Sequence, residues 1–125
     1  MKIDFGSQIP IYLQISQSIE DDIIRDIFEE ETQIPSTTEV SISYNINPAT
    51  IAKGFNLLVD EGILYKKRGV GMFVAKNAKN TLIKKQKEHF YEKYVVNLLH
   101  EADKLGITIE DIIKMITGGP EYESY

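Results

Sequence analysis

Apolar residues recur at helical spacing from near the start of the chain. Tyr12, Ile15, Ile19 and Ile23 follow Pro10 at intervals of three or four, and Leu13, Ile24 and Ile27 widen the stripe. A supporting helix is therefore expected over roughly 10–26. Ser36-Thr37-Thr38-Glu39 has the spacing of a capping box. In that box the Ser36 hydroxyl accepts from the Glu39 N–H, and the Glu39 carboxylate accepts from the N–H of Ser36. A short second helix should start at Thr37, turn Val40 and Tyr44 inward, and end at Asn45, which tolerates left-handed backbone. Asn47 then caps a third helix that Pro48 opens. Ile51, Phe55 and Leu58 give this helix one apolar stripe, and Gly62 stops it.

The period then changes from helix to strand. Residues 63–67 and 72–75 read as two strands joined by Arg68-Gly69-Val70-Gly71, a turn whose glycines permit positive φ. A long helix is expected over roughly 81–105, with Tyr91, Tyr94, Val95, Leu98, Leu99, Ala102 and Leu105 as a seam. Gly106 ends it. Thr108 to Asp111 resembles a second capping box, and the short helix that follows carries Ile109, Ile112, Ile113 and Ile116 before Gly118-Gly119-Pro120 stops it.

Two helices alone do not bury apolar seams on so many sides, so part of this surface should meet a second chain. The expected fold is mainly α with a small β-hairpin (α+β). A winged helix-turn-helix domain occupies residues 1–76, and a two-helix dimerisation tail occupies 77–125. The association seam is Tyr91, Tyr94, Val95, Leu98, Leu99, Ala102, Leu105, Ile112, Ile113 and Ile116.

The third helix has a second face. Ala49, Thr50, Lys53 and Asn56 lie away from its apolar stripe, toward the N-terminal end. Small, polar and basic side chains can approach base edges, and a helix N-terminus favours phosphate. Lys66, Lys67 and Arg68 place cations at the hairpin tip, which suits a phosphate backbone or a narrow minor groove.

Charge sharpens this. The 125-residue chain carries a net −5, which taken bluntly argues against nucleic acid. Its distribution argues the other way. Residues 1–47 carry net −7, residues 48–87 net +7 and residues 88–125 net −5. Local field decides where a polyanion docks. Lys76, Lys79, Lys84, Lys85 and Lys87 also fit a plain solvated helix start.

Other chemistries find little support. There are no cysteines, which excludes disulfides and Cys-based zinc sites and suits a reducing cytoplasm. Glu29-Glu30-Glu31 sits in the loop expected over 28–33 and reads as solvated rather than as a metal site. His89 and His100 would lie about 16 Å apart along one helix, too far to share a metal. Gly69-Val70-Gly71 lies between strands and lacks a third glycine, so it is no nucleotide loop. No catalytic grouping stands out, and no cofactor is expected. No apolar run is long enough to span a membrane.

These stretches together resemble the GntR family of transcriptional regulators, and most closely its small YtrA-type branch. The resemblance rests on PIYLQI at 10–15, IPS at 34–36, INPATIAKGF at 46–55, LLVDEGIL at 57–64 and RGVGMFVA at 68–75. It implies a cytoplasmic homodimer that binds a two-fold symmetric DNA operator, usually as a repressor. The implied DNA contacts are Ser36, Thr37, Thr38, Asn47, Ala49, Thr50, Lys53, Lys67, Arg68, Gly69 and Gly71. The chain departs from the pattern at Thr38, where the family usually has arginine, and in the loop before Ile34, where acidic residues replace a glycine-containing turn. These departures also suit an alternative, a winged-helix protein-interaction module that has lost DNA binding. A small-molecule effector could bind between wing and tail, but no residue cluster identifies a pocket.

Overall fold

The computed structural model describes residues 1–119. Its elements are α1 (Ile11–Ile24), α2 (Thr37–Tyr44), α3 (Pro48–Asp60), β1 (Leu64–Lys67), β2 (Gly71–Val74), α4 (Ala78–Phe90), a π-helical segment (Tyr91–Val95), α5 (Val96–Leu105) and α6 (Ile109–Gly118). The expected mainly helical fold with one hairpin is what forms. Pro120, expected to help stop the last helix, lies outside the described residues. Among the described residues, no helix is long and apolar enough to cross a membrane.

The chain forms two compact units, Met1–Lys85 and Gln86 onward. This boundary lies beyond the expected division after residue 76. The first turns of α4 bury Ala78 and Leu82 in the core of the first unit, so the helix belongs there before it leaves. For the same reason α4 begins at Ala78 rather than near Thr81.

In the first unit α3 packs against α1, α2 and β1. Ile15, Ile19 and Ile23 of α1 meet Ile51, Phe55 and Leu58 of α3, and Ile34, Val40, Ile63, Leu64 and Val74 close the core. Gly54 sets how near α1 comes. A Cβ there would lie 2.8 Å from the Tyr12 carbonyl oxygen and 2.9 Å from Ile15 Cγ2, so only glycine permits this approach. Ile27, expected on the α1 stripe, is instead 62% exposed. Helix α1 has already ended, and Asp26 at φ 63° turns the chain out of helical phase.

The hairpin pairs antiparallel from Leu64↔Val74 to Lys67↔Gly71. The segment expected to be a connecting loop adds a third edge. Glu31 N–H donates to Val74 O (2.8 Å), Val74 N–H to Thr32 O (3.0 Å) and Ile34 N–H to Met72 O (3.0 Å).

In the second unit the long helix is interrupted. The Val96 N–H bonds back to Tyr91 O, five residues away, where the ladder widens into the π segment. β-branched Val95 and Val96 stand at this place. The extra residue shifts the phase of the expected seam between Tyr91 and Leu98. Gly106 at φ 69° ends α5, and Thr108 and Asp111 form the second capping box, with both bonds at 3.1 Å. Ala102 and Ile112 are buried within the chain itself. Both belong to the expected association seam. Being covered already, they add little apolar surface for another chain. Val95 is half-buried, whereas Tyr91, Tyr94, Leu98, Leu99, Leu105, Ile113 and Ile116 are exposed.

Candidate nucleic-acid interface

Every residue read as a DNA contact lies in the first unit, on elements that pack on one another. The start of α2 is built by its cap. The Ser36 hydroxyl accepts from Glu39 N–H at 3.0 Å, and the Glu39 carboxylate accepts from Ser36 N–H at 3.2 Å. This leaves Thr37 half-buried and Thr38 exposed on the first turn. The turn to α3 is fixed by Asn45 at φ 54° and by the Ser41 hydroxyl, which donates to Ile46 O at 2.5 Å.

Helix α3 begins as its sequence requires. The Asn47 side chain accepts from Ala49 N–H at 2.8 Å, and Pro48 takes the first helical position. Ile51, Gly54, Phe55 and Leu58 face the core. Ala49, Lys53 and Asn56 are exposed and Thr50 is half-exposed. The Lys53 ammonium lies 3.9 Å from the centre of the Tyr12 ring. A cation over a ring face is attracted by the ring quadrupole, so the lysine is held rather than loose.

The hairpin supplies the second basic element. Its tip turns through Gly69 at φ 78°, with Val70 N–H donating to Lys67 O at 2.9 Å, the geometry a type II turn demands. Lys66, Lys67 and Arg68 are exposed and make no ion pair among the described residues. Lys67 sits 4.3 Å over the Phe73 ring, which stacks on Tyr65.

Other lysines of the basic segment are neutralised within the unit. Lys79 pairs with Asp26 at 2.8 Å, and Lys85 pairs with Glu61 at 3.0 Å and Glu20 at 3.5 Å. Burial pushes the Glu20 carboxyl above its usual pKa, with Lys85 opposing. For Lys85 burial pulls downward, but its bond to Glu61 and the two carboxylate charges outweigh that and raise it. These two lysines are tied to carboxylates, and among the described residues the unpaired positive charge of the basic segment is narrowed to the hairpin tip, Lys53, Lys76 and the remaining α4 lysines.

Sequence reasoning missed several residues that shape the site. Tyr12 looked like an ordinary member of a helical stripe, and Gly54 stood only within the family-like stretch 46–55. Glu31 looked merely solvated, yet it adopts φ 63° and its carboxylate accepts from the Tyr65 hydroxyl at 2.8 Å. That hydrogen bond raises the Tyr65 pKa. A run of acids without glycine gives no local signal for a left-handed residue, so only the pairing with the hairpin reveals it.

The family model of bacterial regulatory proteins, gntR family, matches residues 11–74. The chain belongs to the GntR family. It is 30% identical over 116 residues to the HTH-type transcriptional repressor YtrA of Bacillus subtilis, covering 93% of this chain and 88% of that protein. It is also similar to the crystal structure of a GntR-family regulator from Bacteroides thetaiotaomicron, with 37% identity, a TM-score of 0.69, and coverage of 86% and 94%. The DNA-binding domain of AraR in complex with operator ORX1 matches at 28% identity and a TM-score of 0.56, over 60% of this chain and 96% of that one. The GntR chain described here is thus a DNA-binding transcriptional regulator with a winged-helix fold, and its relatives are regulators rather than enzymes.

Proposed function

We propose that this regulator acts in the cytoplasm as a homodimeric repressor of a two-fold symmetric operator. Helix α3 enters the major groove, where Ala49 and Thr50 approach base edges and Lys53 and the helix N-terminus hold phosphates. Ser36, Thr37, Thr38 and Asn47 border that contact. The tip formed by Lys67, Arg68, Gly69 and Gly71 rests on the adjacent backbone or minor groove. The observation that carries this reading is a contrast between lysines. Lys79 and Lys85 are tied to carboxylates, while the cations of α3 and of the hairpin tip form no ion pair among the described residues.

The exposed apolar residues of the tail support dimerisation, since water is a poor neighbour for so many large side chains on two short helices. Two copies would read half-sites about 34 Å apart, one turn of DNA, or a multiple. Occupancy would exclude polymerase from the promoter. Lys53→Ala and Arg68→Ala test the docking. Each should weaken binding and reduce the salt slope by about one. Unchanged affinity and slope in both would reject it.

A further inference from the structure

We infer that Gln33 is a positioning residue for the wing, holding the hairpin tip in the pose that DNA requires. The inference rests on the docking proposed above.

A two-stranded hairpin is marginally stable on its own in water. Here the base of the hairpin is secured by buried Leu64 and Val74, but the tip projects beyond that core. Arg68, Gly69 and Val70 are all exposed. Within the hairpin the tip is closed by the Val70 N–H to Lys67 O bond. The tie to the helical body comes from Gln33. Its main chain is anchored, because Gln33 bridges Phe73 and its neighbours Thr32 and Ile34 bond to Val74 and Met72. Ile34 is buried, and Ser36 caps α2 two residues later. From this anchor the Gln33 side chain runs along the hairpin, and its Nε2 donates to Val70 O at 2.9 Å.

Gly71 completes the arrangement. A Cβ at this position would collide with Gln33 Nε2 and press on its Cδ at 3.3 Å. Gly71 also adopts φ 148°, which L side chains rarely do. The glycine therefore serves two needs: the turn, and the space through which Gln33 reaches the tip. One side chain thus links the segment that leads into α2 to the turn that carries Arg68. Freed of that link, the tip would sample many poses, and Arg68 would have to be ordered on binding at a cost in affinity.

The inference predicts energetic coupling between Gln33 and Arg68. Gln33→Met keeps the length of the side chain and removes the donor. Because Gln33 is exposed, the variant should still fold, with a thermal midpoint within a few degrees of the wild type. Binding would be measured across a salt series with the consensus duplex recovered by selection from random DNA, and with a scrambled duplex of equal length. Gln33→Met should weaken consensus binding roughly threefold to tenfold, the worth of one hydrogen bond. It should also lower the salt slope toward that of Arg68→Ala, and add nothing further in the Gln33→Met/Arg68→Ala double variant. Full affinity in Gln33→Met, or losses that simply add to those of Arg68→Ala, would overturn the brace while leaving the docking intact. An Arg68→Ala variant with unchanged affinity and slope would overturn the wing contact and the brace with it.

Discussion

The two units cover the apolar stripes of their helices to different degrees. In the first, Ile15, Ile51, Phe55, Leu58 and Leu82 have at most 1% of their surface exposed, and α1, α2, α3 and the hairpin close around them. In the second, Leu105 is 69% and Ile116 71% exposed, and Tyr91, Tyr94 and Ile113 are more than half exposed. Both sequences carry apolar residues at helical spacing. The difference is the number of elements available to cover each stripe. A helix in the winged unit has neighbours on several sides, whereas α5 and α6 have too few partners to cover all their apolar positions. A stripe read from sequence therefore identifies a surface to be buried and leaves open whether the same chain buries it.

Substitutions can break this contrast in either unit. The largest effect is expected from Phe55→Ala in the winged core, a loss of about 3–5 kcal/mol from transfer and cavity terms, read by denaturant unfolding. Leu98→Asp with Ile113→Asp in the tail should do the reverse. It should leave unfolding of the winged unit unchanged while placing uncompensated charge in the proposed dimer, at a cost of about 3 kcal/mol or more to association. Sedimentation would then report monomers. A variant that sediments like the wild type would remove the tail from the interface.

Gly54→Ala sharpens the comparison inside the core. The added methyl meets the Tyr12 carbonyl and Ile15, so α1 must retreat from α3, at about 1–3 kcal/mol. The retreat should also separate Tyr12 from Lys53 and weaken DNA binding beyond the stability loss. Unchanged stability would mean that the two helices are not held at this distance.

The smallest effect concerns Glu20, a buried charge with no counterpart among the described residues of the tail. Burial raises its carboxyl pKa above 4.5, partly offset by Lys85. The folded state therefore binds its proton more readily than the unfolded state. The associated stability is present below pH 4.5 and lost as pH rises through the folded value. Glu20→Gln should accordingly raise the thermal midpoint at neutral pH, and that gain should shrink as pH falls toward the ordinary glutamate range. A gain that does not change with pH would exclude this cause.

Much of the winged unit is legible in the sequence because its signals are local. Ser36 with Glu39, Asn45, Asn47 with Pro48, and Gly62 each mark a helix end by the chemistry of one or a few neighbouring residues, and each forms as expected. What escaped depends on distant partners. The edge formed by Glu31 to Ile34 exists only because β2 runs beside it. The need for glycine at 54 arises from Tyr12 and Ile15, whereas at 71 only the space left for Gln33, and not the positive φ, was hidden. The π segment at Tyr91–Val95 breaks a seam whose spacing looked continuous. Charge was half legible: the basic segment was visible, but which of its lysines are already paired depended on Asp26, Glu20 and Glu61 from other elements.

The central claim is that this chain reads a symmetric DNA sequence as a pair. Selection of duplexes from a random pool by the purified protein, at about 0.15 M salt, tests it most directly. The account predicts an inverted-repeat consensus whose half-site centres lie about one helical turn, or a multiple of it, apart. Recovery of no consensus, with only weak and salt-sensitive binding, would contradict it and favour a winged module that contacts protein instead.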